Sequence, residues 1–464
     1  MLFPTVQFAV FFPIVLVISW ALMPHPRAWK PFMLVASYVF YAAAGWQFIV
    51  LLAAVTLTNQ LGAVMLHRTE GERRRRWIVA VAVAVDLGLL AVFKYYSFFA
   101  QQWADALAHV GLGASLPLLT IALPVGISFY TFQAISYVVD VKRRHVEPAS
   151  LTDFAVYLSF FPHLVAGPIV RAREFLPQLR SPRDPNRVAV SSGLALIALG
   201  LIKKVAISDF LATKLVDPIF ATPVGYKAPD VLLAAYGYAA QIYCDFSGYT
   251  DMAIGLALLL GFVLPQNFRS PYRATGFRDF WRRWHMSLSR FIRDDLFIPL
   301  GGSRGGKLMT YRNLMITFVL VGLWHGAAWT FVLWGAFHGI CLVLEHALGD
   351  RWKRIPAWVR WLVTFHLVVL GWIMFRATSL TNFWAVISRL GDWGPATLWT
   401  VPVLVSIAVV VGFQLPSPKL IERGQARIER LRPALLAVGL AAVILLVGAT
   451  VSSQGVPPFI YFRF

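Results

Sequence analysis

The chain has 464 residues, 58% of them hydrophobic and only 14% charged, with a mean hydropathy of +0.66. That balance excludes a water-soluble globular chain and describes an integral membrane protein. The formal net charge of +20 would suggest nucleic acid in a soluble protein, but here Lys and Arg fall in short loops between apolar stretches. Membrane lipid, not nucleic acid, is the partner that such a pattern implies.

Apolar stretches long enough to span a bilayer recur at 6–24, 31–66 (two), 77–97, 117–139, 191–216, 230–262, 313–347, 358–375, 398–415 and 433–453. They predict an all-α, polytopic protein with about eleven spans. No polar block is long enough for a separate soluble domain and no internal repeat is visible, so residues 1–464 read as a single membrane-embedded domain. The first apolar segment lacks a basic n-region and a small-residue cleavage site, and reads as a retained span. Basic residues cluster at Arg27 and Lys30 and at 73–76, 142–144, 171–187, 269–312, 351–360 and 419–432. By the positive-inside rule these loops are cytoplasmic, which puts both termini outside the cell. Cys244 and Cys341 both lie in apolar context and read as buried small hydrophobes rather than a disulfide.

The polar residues within this frame are informative. LPVGISFYTFQAISYVVD, 123–140, mixes aromatics with small hydroxyls, which suits either a helix packed through small residues or polar groups that need partners at depth. In FFPHLVAGPIVRAREFLPQL, 160–179, Pro162, Gly167 and Pro168 interrupt an apolar run too short to span, a pattern that predicts a broken or re-entrant segment. YCDFSGYTDMAIGLALLLGF, 243–262, carries Asp245 and Asp251. Two readings stand for them: a proton path or substrate contact, or the capping of a helix start at the interface.

FRDFWRRWHMSLSRFIRDDLFIPLGGSRGG, 277–306, combines aromatic and aliphatic residues with Arg282, Arg283, Arg290 and Arg293. Between 280 and 300 it reads as an amphipathic helix on the cytoplasmic leaflet. Three of these arginines, Arg282, Arg283 and Arg290, suit the phosphates of an anionic donor, and equally an anionic lipid surface. GGSRGGK, 301–307, has the glycine and lysine spacing of a phosphate-binding loop, but Leu308 stands where a magnesium-binding Ser or Thr is required, which excludes a nucleotide triphosphatase.

GLWHGAAW, 322–329, then places His325 roughly 18 Å along a helix from Asn313, near the middle of a ~30 Å hydrocarbon core. An ionisable group at that depth marks a functional site by default, although a histidine that merely packs and hydrogen-bonds is the alternative. Imidazole suits general-base work on an attacking hydroxyl. His285 and His338 are further candidates. His338 lies thirteen residues beyond His325, so on an unbroken helix the two point roughly opposite ways. No H-x-x-x-H or H-E-x-x-H spacing occurs, and no metal is expected.

Taken together, these stretches resemble the membrane-bound O-acyltransferases, in particular the bacterial subgroup of alginate O-acetyltransferases, whose relatives act on peptidoglycan, cellulose and, through D-alanine, teichoic acid. The resemblance covers roughly residues 30–350, densest from about 120, with a matching tail. It implies spanning, re-entrant and interfacial helices around a central funnel. It also implies transfer of an acyl group from a cytoplasmic thioester, acetyl-CoA with no permanently bound cofactor, toward an extracytoplasmic polysaccharide. An alginate-like exopolysaccharide is the first expectation for that acceptor, with peptidoglycan or cellulose as alternatives. An extracytoplasmic SGNH-hydrolase-like acetyltransferase would complete the transfer, in a bacterial inner membrane. The family's WHG histidine corresponds to His325 and its second histidine, in WHMS, to His285.

The ending PFIYFRF, 458–464, reads either as an interfacial aromatic anchor or, by resemblance to the tyrosine-bearing tail of the D-alanine relatives, as an acyl-accepting segment with Tyr461 as acceptor. On this view residues 455–464 form an extracytoplasmic tail. Two rival classes stand beside the enzyme. One is a transporter or polysaccharide export component using His325, Asp245 and Asp251 as a proton relay, which the missing internal symmetry disfavours. The other is a non-catalytic scaffold.

Overall fold

A computed structural model of the protein describes residues 1–111, 123–416, 418–450, 457, 459 and 460. They form helices and connecting turns, with no strand among the described residues. Among the described residues, four helical segments are long and apolar enough to cross a membrane: Gln47–Arg68, Glu72–His109, Trp329–Leu348 and Ala357–Arg376. Val6–Leu22, Val401–Gly412 and Pro433–Gly448 are shorter apolar helices. Other expected spans take a different form. The 191–216 stretch is a helix, Val190–Leu201, running into π-helical turns at Ile202–Asp209 and Ala212–Val216. The span expected at 117–139 starts outside the described residues, and its described helix is Ile127–Lys142. Side chains such as Val6, Val17, Leu435 and Leu445 point outward and exposed, as lipid-facing residues do.

The described residues cluster into two compact units. The first comprises Met1–Val188 with Ala257–Leu264. Its centre is the Ile127–Lys142 helix, buried along almost its whole length. The turn before it needs Gly126, which has φ +77° and would drive a Cβ into the Leu164 carbonyl; the Tyr41 hydroxyl donates to the Val125 carbonyl at 2.8 Å beside it. The segment predicted to be broken is broken: Leu151–Ser159 and a single turn Phe161–Leu164 give way to a turn and irregular chain before Ala172–Arg180. This irregular backbone is buried in protein, the condition under which it is tolerated at membrane depth. Tyr157 holds it by donating to the Val170 carbonyl at 2.7 Å.

The second unit comprises Ala189–Leu256 with Pro265–Phe464. It contains most of the 32-residue helix Ala228–Leu259 and the helices Lys307–His325, Trp329–Leu348 and Ala357–Arg376. Here the structure corrects the sequence reading. The 313–347 stretch is not one span: the Lys307–His325 helix stops at Gly326, the chain turns, and Trp329–Leu348 returns against it. Glycines permit the close return. A Cβ on Gly322 would strike the Phe331 carbonyl oxygen, and one on Gly335 the Phe318 carbonyl oxygen, so the two backbones touch where small residues face each other.

Candidate active site

The hairpin places His325 at the end of a helix and at the turn, rather than midway along a continuous rod. Its imidazole is buried and walled by aromatic rings, with Trp324 at 4.9 Å, Trp334 at 5.0 Å and Phe375 at 5.3 Å between centroids. His338 is not turned away from it, as an unbroken helix would require. Because the chain reverses, Trp334 packs on both histidines, 5.0 Å from His325 and 4.6 Å from His338. Phe277, Phe280, Trp281 and Phe337 also pack around His338.

His285 stands in a different local setting. It has φ +43° and ψ +54°, left-handed values that a non-glycine residue adopts at a cost and that surrounding structure must fix. Asn267 supplies the fixing. Its carbonyl accepts from the Met286 amide at 2.9 Å, while its side-chain Oδ1 accepts from the Ser287 amide at 3.1 Å and the Ser287 hydroxyl at 2.9 Å. A backbone N–H can only donate, so the Asn267 atom facing it is oxygen. The same oxygen lies 3.2 Å from His285 Nδ1, which in a neutral ring must therefore carry the proton. Nε2 is then the lone-pair nitrogen. The His285 ring packs edge-on against Phe246 at 4.6 Å and lies 6.4 Å from Trp324, which is itself 4.9 Å from His325. One indole thus belongs to the surroundings of both imidazoles, close to His325 and at a longer distance from His285.

The left-handed residue also breaks the helix expected over 280–300. Instead Phe277–Trp281, Met286–Ile292 and a π-turn at Arg293–Phe297 follow one another. Phe280 and Trp284 are buried, so this is not an amphipathic rod lying on a leaflet. The three candidate arginines differ accordingly. Arg282 is exposed; Arg283 is held by Asp279 at 2.8 Å and by the Arg269 carbonyl at 3.3 Å; Arg290 is half-buried.

Asp245 and Asp251 do not cap a helix start, because their helix begins at Ala228 and both lie well inside it. They are matched by lysines that the sequence reading passed over. Lys203 Nζ meets Asp251 Oδ2 at 2.6 Å, and Lys204 Nζ meets Asp245 Oδ1 at 2.7 Å and Asp209 Oδ1 at 2.6 Å. Both lysines sit on the π-helical turn Ile202–Asp209, a geometry often found at functional sites. Two adjacent lysines in one apolar stretch, and two aspartates in another, were the available signal. Asp245 has a second partner: its Oδ2 accepts from the Ile460 amide at 2.9 Å. Phe459, next to it, is buried against Phe246 at 5.4 Å and Tyr249 at 4.8 Å. Tyr461 itself lies outside the described residues. Among the described residues no group of His, Cys, Asp and Glu is arranged to hold a metal.

The family model of the membrane-bound O-acyltransferases matches residues 34–386, which include both histidines and exclude the tail. The chain belongs to the membrane-bound O-acyltransferase family. It is an acyltransferase, and the transporter and scaffold readings are set aside. Among its relatives, the probable alginate O-acetylase AlgI of Pseudomonas aeruginosa is 42% identical over 370 residues, 78% of this chain and 69% of that protein. The peptidoglycan O-acetyltransferase of Helicobacter pylori is 34% identical over 77% of this chain and 72% of its own length. The teichoic acid D-alanyltransferase of Bacillus subtilis is 28% identical over 54% and 68% respectively.

Proposed function

We propose that this acyltransferase takes an acetyl group from acetyl-CoA on the cytoplasmic side of a bacterial inner membrane and delivers it for O-acetylation of an extracytoplasmic, alginate-like exopolysaccharide. The observation that carries this reading is the pair of buried imidazoles, His325 and His285, sharing Trp324 within a chain 42% identical to a probable alginate O-acetylase. The 34% identity to a peptidoglycan O-acetyltransferase supports peptidoglycan as the second choice of acceptor.

In this reading His325 is the general base. The first acceptor is the phenol of Tyr461. Its oxygen attacks the thioester carbonyl carbon while His325 takes the phenolic proton; the C–S bond breaks, and the coenzyme A thiolate leaves and recovers that proton as the thiol. The aryl ester formed on Tyr461 is more activated than an alkyl ester, which suits a transient carrier. An extracytoplasmic SGNH-hydrolase-like acetyltransferase then accepts the group and completes transfer to the polymer. His285, with its proton on Nδ1, offers Nε2 as an acceptor in the same aromatic surroundings. Arg282, the exposed arginine, steers the donor's phosphates.

The hairpin supports the orientation. A single crossing at 313–347 would put the basic blocks 269–312 and 351–360 on opposite faces, whereas a hairpin returns the chain to the face it left, as the positive-inside rule requires. In this reading both termini are extracytoplasmic, the side on which the final acceptor waits. The test is label transfer. Purified chain incubated with acetyl-labelled acetyl-CoA is expected to become labelled, and Tyr461→Phe and His325→Ala are expected to stay unlabelled. Wild-type protein that turns over acetyl-CoA without retaining label, or a Tyr461→Phe strain that transfers as well as wild type, contradicts the tail step.

A further inference from the structure

We infer that Asp245, held by Lys204, is the docking clamp for the chain's own C-terminal tail, and that it sets the register in which Tyr461 meets the histidines. The inference rests on the carrier reading of Tyr461 and names the device that would make a tethered carrier work.

Each of the two carboxylate oxygens of Asp245 has its own task. Oδ1 accepts from Lys204 Nζ at 2.7 Å, which matches a charge otherwise costly in this buried position. Oδ2 accepts from the Ile460 amide at 2.9 Å, a charge-assisted bond to backbone rather than to a side chain. It reads chain position, not residue type. One residue before, Phe459 fills a slot between Phe246 and Tyr249 and is wholly buried. One residue after comes Tyr461. Phe246 is common to both sides of the argument, since its ring touches Phe459 at 5.4 Å and His285 at 4.6 Å.

A tail that only anchored the chain in the interface would have no use for a buried carboxylate aimed at its backbone. Lys204 explains why the clamp tolerates burial. Its bond to Oδ1 at 2.7 Å does not involve the tail, so Asp245 keeps a cation at hydrogen-bond distance whether or not Ile460 is present. Asp245 is therefore a positioning residue, acting through the tail.

The cleanest perturbation is on the tail, where it cannot unsettle the helices. Ile460→Pro removes the donated N–H and leaves Asp245, Lys204 and Phe459 intact, whereas Ile460→Val keeps it. Polymer O-acetylation in cells, at matched membrane abundance, is expected to fall about tenfold or more in Ile460→Pro and to stay near wild type in Ile460→Val. A second readout follows the bond itself. By hydrogen exchange of the purified full chain, the Ile460 amide is expected to exchange at least about tenfold slower than in a free peptide, and to lose that protection in Asp245→Ala. Should Asp245→Ala fail to fold, Lys204→Met combined with Asp209→Leu and Asp245→Leu removes all three members of the cluster, and the same loss of protection is expected. An Ile460 amide exchanging at the free-peptide rate in the wild type, or Ile460→Pro transferring like wild type while Tyr461→Phe does not, overturns the clamp and leaves the carrier standing. Full transfer by Tyr461→Phe overturns the carrier instead, and amide protection then decides the clamp alone.

Discussion

Replacing Asn267 by leucine tests the account of His285 with little change of volume. In the native chain its Oδ1 accepts from the Ser287 amide, the Ser287 hydroxyl and His285 Nδ1. The hydroxyl can rotate to another acceptor, but the amide and the imidazole N–H have fixed directions and are buried. Each buried donor left without an acceptor costs about 1–3 kcal/mol, so the two together cost about 2–6 kcal/mol before relaxation. Loss of the acceptor also frees the ring to place its proton on Nε2, which abolishes the lone pair there. Asn267→Leu is therefore expected to lower both membrane abundance and transfer per molecule, the latter by about tenfold or more, a typical cost when a partner that orients a functional histidine is removed. Asn267→Asp keeps an acceptor in the same place and is expected to retain most of the activity. The assay is polymer O-acetylation in a complemented deletion strain, normalised to chain abundance by immunoblot. Wild-type transfer per molecule in Asn267→Leu refutes the reasoning, because it leaves the tautomer lock with no consequence.

Two other predictions follow from the same unit. Gly335→Ala puts a methyl group against the Phe318 carbonyl and wedges the hairpin open near His325; transfer per molecule is expected to be lost, while Gly439→Ala, at a helix position with open space around it, behaves as wild type in the same assay. Arg282→Ala is expected to raise KM for acetyl-CoA several-fold with kcat unchanged, whereas Arg283→Ala, which breaks the bond to Asp279, lowers abundance and leaves KM alone, as steady-state kinetics on purified chain will separate.

Much of this was legible in the sequence, in proportion to how local each cause is. Composition announced a membrane protein, and Pro162, Gly167 and Pro168 announced the broken segment, because a proline and a glycine act on their own backbone. His325 and His285 stood out as polar residues within named motifs. The hairpin did not. Gly326-Ala327-Ala328 contains no proline, and the turn is made favourable by Gly322 and Gly335 meeting across it, a contact that exists only once the chain has reversed. The helix predicted over 280–300 failed for a similar reason: its break at His285 is held by Asn267, eighteen residues earlier. Lys204 and Asp245 lie 41 residues apart, so their pairing was invisible to any reading of one segment at a time.

The most direct measurement of the central claim is O-acetylation of the cell-surface polysaccharide in a deletion strain complemented with wild type or His325→Ala, with both proteins present at equal membrane abundance. The account predicts that His325→Ala abolishes O-acetylation. Full acetylation in that strain would contradict it and return His325 to a packing role at the hairpin turn.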